Sequence, residues 1–510
     1  MNWTALTVFI VLFLFITWLG FFAARWRKGD LDLLHEWGLG GRRFGTFVTW
    51  FLIGGDLYTA YTFVAVPALM FGAGALGFFA VPYTIMVYPI LYIVFPRLWS
   101  VAHKHGYVTS ADFVRGRYGN RWLALAIAFT GILATMPYIA LQLVGIQVVI
   151  GAMGVGTSGF SGDLPLILAF IILAAFTYTS GLRAPAMIAV VKDLLIYITV
   201  FAAIIAVPIH LGGYDKVFAA IPAPKLLLAH PPAGTYGSFS AYATLALGSA
   251  FALFLYPHSI TGILSSSSAR VVRRNAAMLP AYSLMLGLLA LVGFMAIAIG
   301  VQKMPEFASG FANYKANFAV PSLFLALFPS WFVGVAFAAI AIGALVPAAI
   351  MSIATANTFT RNIYREFLRP ACTDAQESQT AKIVSLVIKA GALIFIFALP
   401  LQYALWLQLL GGVWIIQTAP AVVLGLYTRF FNGWALLAGW VAGFGLGTWM
   451  VASNNFTPVY PLKIFGEGFP CYVALASLVV NIGVAWVLSL YLNRVASDRD
   501  QDVTAAEDYA

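Results

Sequence analysis

The sequence predicts an all-α integral membrane protein, one bundle of about thirteen transmembrane helices, and three observations lead to that class. Hydrophobic residues make up 62% of the 510-residue chain and charged residues only 9%, with a mean hydropathy of +0.91. A water-facing surface needs roughly a quarter of charged residues, so lipid must be the solvent over most of this chain. Apolar runs of the ~20 residues that cross a bilayer core recur from end to end. Lysines and arginines fall in alternate loops between them. Barrel strands would show alternating segments of about ten residues instead. The net charge of +10 is accounted for by those loops, and no nucleic-acid partner is expected.

In chain order the runs lie near 4–24, 44–71, 76–98, 122–152, 164–181, 186–209, 239–266, 276–301, 327–360, 382–400, 403–428, 433–452 and 468–493. The first is too long for a signal-peptide core, has no basic segment before it and is followed by Arg25, Arg27 and Lys28. It reads as a retained helix with its N-terminus outside. On that orientation the outer loops hold only Lys216, Lys225, Lys303, Lys315 and Lys463, and the inner loops hold nearly all the rest. The expected protein is therefore a multi-pass inner-membrane protein with its C-terminus cytoplasmic. Cys372 and Cys471 fall on opposite faces, so no disulfide is expected. Residues 1–495 form a single transmembrane domain, and the polar, acidic segment 496–510 reads as a disordered cytoplasmic tail.

The places where a membrane helix breaks a rule carry the functional information. Gly54-Gly55-Asp56 lies inside the second span and Pro257-His258 inside the seventh. Paired glycines weaken a helix, an ionised Asp at that depth is costly, and proline removes a backbone hydrogen bond. Five spans separate the breaks, which is the spacing of an inverted repeat of spans 2–6 (about 44–209) against spans 7–11 (about 239–428). One extra helix then precedes the repeats and two follow. In such a bundle the broken helices meet near the midplane and build the site. Ordinary kinks and glycine packing are the plainer account of each break taken alone.

Lys192-Asp193, in the sixth span, suits a coupling or substrate role, with snorkelling or a simple Lys–Asp pair as structural alternatives. Pro347 opens the ninth span, and Ser352 and Thr355 follow it, serving an ion or merely bonding back to carbonyls. Lys389, in the tenth span, reads as an end-of-helix snorkeller. Gly154-Val-Gly156-Thr-Ser-Gly159 has dinucleotide-loop spacing but follows a membrane helix rather than a strand. Gly439, Gly443 and Gly447 form a helix-packing stripe. The six histidines show no zinc spacing and no nucleophile–base set is present, so neither a metal, a cofactor nor an enzyme is expected.

Longer motifs add a resemblance. GGRRFG (Gly40 to Gly45), FVTWFLIGGDLYTAYTFVAVP in the second span, TSADFVRGRYG (Thr109 to Gly119), YTSGLRAPAMIAVVKD (Tyr178 to Asp193) and PHSITGILSSSSARVVRRNA (Pro257 to Ala277) are similar to the sodium:solute symporter family. LQLLGGVWIIQTAPAVVLGLYTRFF completes a match over roughly residues 5–495. The resemblance implies a LeuT-type five-plus-five inverted repeat, and the chain looks most like the bacterial monocarboxylate permease branch, associated with pyruvate, lactate and similar acids. Sodium-coupled members form a shared cation site from second-span carbonyls and two ninth-span hydroxyls. Aligned on Arg361-Asn362-Ile363-Tyr364, those hydroxyl positions fall on Val346 and Pro347, which cannot ligate a hard cation. Lys192 stands on the span that approaches that site from the other side, as in sodium-independent relatives with a basic group in place of the ion.

The expectation is import of a small monocarboxylate by alternating access, coupled to protons rather than sodium through Lys192 with Asp56 or Asp193. Backbone donors at Gly54 and Gly55 and the positive end of the adjacent half-helix would hold the anion, with Tyr58, Thr59, Thr62 and His258 as side-chain contacts. A monomer would suffice. A sodium-coupled symporter of another solute is one alternative. A transporter-like membrane sensor is another, although such sensors carry a signalling domain after the bundle.

Overall fold

In lipid, every backbone N–H and C=O must find its partner within the segment, and this chain meets that demand with helices. A computed structural model describes all residues except 28, 56, 156–159, 229–238, 399–405, 496–500 and 510, and the backbone alone of 160–163 and 396–398. The first half holds α1 (Trp3–Phe22), α2 (Leu34–Leu39), α3 (Thr46–Gly55), α4 (Val66–Ala73), α5 (Ala80–His105), α6 (Ser110–Tyr118), α7 (Arg121–Ala152), α8 (Phe160–Ser180) and α9 (Arg183–Leu211). Two short helices, α10 (Tyr214–Ala219) and α11 (Ala223–Leu226), precede α12 (Ser240–Leu253), α13 (Pro257–Leu264), α14 (Ala269–Met278) and α15 (Pro280–Ile299). Then come α16 (Ala308–Tyr314), α17 (Ala319–Leu327), α18 (Ser330–Phe359), α19 (Asp374–Ala398), α20 (Leu407–Ile415), α21 (Ala419–Val422), α22 (Gly433–Ser453) and α23 (Val473–Val495).

Among the described residues ten helices are long and apolar enough to cross a membrane, or eleven if the bent pair α12–α13 is one span. That is fewer than the expected thirteen, for local reasons. The second span is split: α3 has only ten residues, and its continuation runs through a π-helical turn (Tyr61–Ala65), α4 and a tight turn into α5. In the fifth span, Leu164–Ser180 is a shorter apolar helix.

α18 is the axis of the bundle, buried along nearly all its length and packed against α7, α1, α9 and α19. Gly439, Gly443 and Gly447 let α22 close on α23: an added Cβ at Gly443 would stand 2.9 Å from the Ser477 carbonyl oxygen. The loop after α22 forms a hairpin of β1 (Val459–Ile464) and β2 (Glu467–Tyr472). Its two-residue turn, Phe465-Gly466, has positive φ at both positions, as the twist of such hairpins requires.

The tail departs from the expected disorder. Residues 496–500 and 510 lie outside the described residues, but 501–509 pack on the basic face. Asp502 pairs with Arg117 and Arg429, Asp508 with Lys104 and His105, and Tyr509 sets its ring edge-on to Phe113. The acidity that suggested disorder is met by the basic loops, which composition alone does not show. Lys104 above all, then the Ala505 N–H and His105, hold the Asp508 carboxyl far below the ordinary carboxylate range. A depressed carboxylate stabilises docking at every pH above that of a free aspartate, about 3.9, and the contribution is lost only as pH falls through the lowered value. Protection of the tail from hydrogen exchange is therefore expected to persist between about pH 7 and 5, while salt weakens it. Asp508→Asn should release it at any pH.

Candidate functional site

Both expected breaks are present. α3 stops at Gly55 and helix resumes after Thr59, while α12 and α13 meet at a 50° bend across Phe254–Tyr256. Asp56 lies outside the described residues. A two-way backbone clasp, Phe44 N–H to Ser265 O (3.2 Å) and Ser267 N–H to Phe44 O (2.9 Å), joins the entry of α3 to the exit of α13.

Lys192 is fully buried and turned into the first break, so it does not snorkel. Its Nζ donates to the carbonyls of Gly55 (2.5 Å) and Tyr58 (3.1 Å) and pairs with Asp193 Oδ1 at 2.9 Å. Asp193 Oδ2 accepts from Tyr282 Oη at 2.6 Å. The amine thus occupies a ring of oxygens at the unwound turn, the kind of ring a hard cation would use. Gly55 makes room for it and Gly54 for the Tyr282 ring. A Cβ on Gly55 would stand 2.9 Å from Lys192 Nζ, and one on Gly54 would enter the Tyr282 ring.

Tyr58 donates to Tyr282 O (3.1 Å) and lies ring to ring with it at 4.7 Å, in an aromatic wall completed by Trp50 and Tyr197. Thr59 and Thr62 are caps: Thr62 Oγ1 accepts from Thr59 N–H (2.9 Å) and Thr59 Oγ1 from Tyr61 N–H (3.0 Å). The Ala60 N–H goes to Gln142 Oε1 at 2.9 Å. The N–H groups of Thr59, Ala60 and Tyr61, where helix resumes, are therefore satisfied internally, as buried donors must be.

His258 is buried at the start of α13, with its ring 5.4 Å from Tyr138 and 5.2 Å from Tyr256. α7 connects the two breaks, since Gln142, which caps the first, donates through Nε2 to the carbonyl of Tyr138 (3.2 Å), which faces the second. Gln142, Tyr197 and Tyr282 were not foreseen. A lone amide in the apolar stretch YIALQLVGI was the one available signal.

Val346 and Pro347 are buried in α18, and neither offers an oxygen ligand from its side chain. Ser352 does not join the Lys192 group. α9 meets α18 at Gly343, 3.7 Å from Ile196 as judged by an added Cβ, and nine residues are about two and a half helical turns, which puts Ser352 on the opposite side. Its hydroxyl bonds back to Ala349 O (2.9 Å), and that of Thr355 to Met351 O (2.7 Å). Lys389 is not a snorkeller either: it is only 3% exposed and bonds Ser385 Oγ at 2.7 Å.

At the basic face, Glu36 of α2 accepts from Arg43 at 2.5 Å and from the buried Arg183 at the start of α9. Gly181, at φ +56°, lets α2 dock beside it, with the Leu182 N–H on Trp37 O (2.9 Å). Arg183→Ala would leave Glu36 buried with Arg43 alone, and should destabilise the fold by ~3 kcal/mol, the low end for a broken buried pair. A fall of several degrees in the detergent Tm would register it.

Two broken helices, with an amine seated among the carbonyls of the first break, match the build of a solute symporter of the LeuT type. The chain belongs to the sodium:solute symporter family, whose profile matches residues 37–443. It is 54% identical over 502 residues, covering 96% of this chain and 97% of the relative, to a "Monocarboxylate transport permease protein" of Rhizobium johnstonii. It is 34% identical to an "Uncharacterized symporter YodF" of Bacillus subtilis, over 87% of this chain and 86% of that one. In fold it is similar to a Na+-coupled sialic acid symporter in a substrate-bound outward-open state, with a TM-score of 0.77 over 96% of this chain and 97% of that chain, at 14% identity.

Proposed function

We propose that the protein imports a small monocarboxylate such as pyruvate or lactate across the bacterial inner membrane, coupled to protons, with its N-terminus outside. The relative named for monocarboxylate transport supports the substrate class. The single observation that carries the coupling is Lys192 Nζ among the carbonyls of Gly55 and Tyr58. A protonated amine there replaces a bound metal ion. When the half-helix moves in alternating access, those carbonyls withdraw and the proton can leave. Alternating access is the proposed cycle, with Gly54, Gly55, Tyr58, Thr59, Thr62 and His258 around the substrate cavity and Asp56 and Asp193 as proton partners.

A second reading, sodium coupling, is favoured by the family's name and by the sodium-coupled structural neighbour. Uptake of labelled pyruvate and lactate into proteoliposomes, with proton and sodium gradients imposed in separate runs, decides between the two. Accumulation on the proton gradient alone is expected, and accumulation on sodium alone refutes the coupling proposed here.

A further inference from the structure

A second buried lysine lies on the far side of α18. Ser378, Lys382, Ser385 and Lys389 recur at intervals of four, three and four along α19, which places them on one helical face. All four are buried, at 0%, 9%, 2% and 3% exposure. Lys389 Nζ lies 2.7 Å from Ser385 Oγ and 3.5 Å from Ser385 O, and Ser385 Oγ reaches Ser352 Oγ of α18 at 3.4 Å. Eleven residues of helix span about 16 Å, roughly half the bilayer core, so the stripe runs from the basic face to mid-membrane.

Its foot is polar. Glu377, beside Ser378, pairs with Arg361 and Arg365. Those arginines line a cavity of about 510 Å³, with Asp112, Arg115 and Glu366 also in its wall. Among the described residues no carboxylate forms an ion pair with Lys389. α7 meets α19 through Met136, near Gly391, and α8 through Tyr178, whose hydroxyl accepts from Gln379 (2.8 Å). Among the described residues the charged groups on or beside the stripe are Lys382, the Glu377–Arg361–Arg365 cluster and Asp374, which pairs with Arg365 at the foot. An ionisable residue at this depth with only hydroxyl and carbonyl partners is costly to keep and marks function.

We propose that Lys389 is a second proton-carrying group, exchanging with the basic-face cavity along the α19 stripe. This rests on the proton-coupled reading above and adds the route on the cytoplasmic side. The ammonium releases one proton along the stripe to water in the cavity and becomes a neutral amine, then takes one proton back, with no other bond changed. Lys192 and Lys389 flank α18 from opposite sides, so a movement of that helix reaches both.

The test compares two readouts in proteoliposomes for wild type, Lys389→Gln, Lys389→Arg and Ser385→Ala. One is proton-driven accumulation of labelled pyruvate, and the other is exchange of labelled for unlabelled pyruvate without a gradient. Lys389→Gln is expected to lose accumulation about tenfold or more while exchange stays within about twofold, because exchange needs no net proton release. Lys389→Arg should behave the same way, since arginine does not deprotonate in proteins, and Ser385→Ala should slow accumulation less. Equal loss of both readouts marks a structural role and overturns the proposal, as does loss of neither. A wild type that ignores the proton gradient refutes the coupling reading and this inference with it. A proton-driven wild type with an unaltered Lys389→Gln refutes the inference alone.

Discussion

Lys192→Ala is expected to abolish proton-driven accumulation, by roughly 100-fold or more. Removing the amine uncovers the carbonyls of Gly55 and Tyr58 and leaves Asp193, fully buried, with Tyr282 as its remaining partner. Breaking a buried pair costs about 3–5 kcal/mol, and each 1.4 kcal/mol is a factor of ten in an equilibrium. The double variant Lys192→Ala with Asp193→Asn separates the two consequences. If the damage is an orphaned carboxylate, neutralising Asp193 restores the detergent Tm. If the amine carries the proton, accumulation stays lost in the restored protein. Lys192→Ala with full proton-driven accumulation would remove this residue from the mechanism.

Much of this architecture was legible because lipid narrows the choices. A chain with so few charges must bury its backbone in helices, and a glycine pair or a proline inside a span then stands out as a break. Gly54-Gly55 and Pro257 were found in this way. Gln142, Tyr197 and Tyr282 were not, because they sit on other spans and meet the break only when the bundle closes. Lys389 shows the limit of depth as a guide. A lysine at its position can reach toward the interface or turn inward, and the choice depends on Ser385 and Ser352, the latter on a different helix. Periodicity puts Ser352 on the face of α18 opposite Gly343, but that Gly343 is where α9 meets α18 shows only in the folded bundle. The tail hid for another reason: its partners, Lys104, Arg117 and Arg429, lie hundreds of residues or dozens away in sequence and converge only at the basic face.

The two glycines of the first break should respond differently to the same added methyl group. At Gly54 the methyl would collide with the Tyr282 ring, with the Tyr282 Oη only 2.9 Å away. That ring is held between Trp50 and Tyr58, each at 4.7 Å, and has nowhere to go. Gly54→Ala is therefore expected to lose stability and transport together, with overpacking of about 1–3 kcal/mol exceeding the gain of up to ~1 kcal/mol from replacing a helical glycine. At Gly55 the methyl meets Lys192 Nζ at 2.9 Å, the far end of a flexible side chain. The lysine can yield, but only by leaving the Gly55 and Tyr58 carbonyls. Gly55→Ala should lower the Tm less than Gly54→Ala, because the Lys192–Asp193 pair is kept, while proton-driven uptake falls about tenfold or more. Wild-type uptake in Gly55→Ala would show that the amine need not sit on those carbonyls, and a parallel collapse of Tm in both variants would reduce the break to a packing motif.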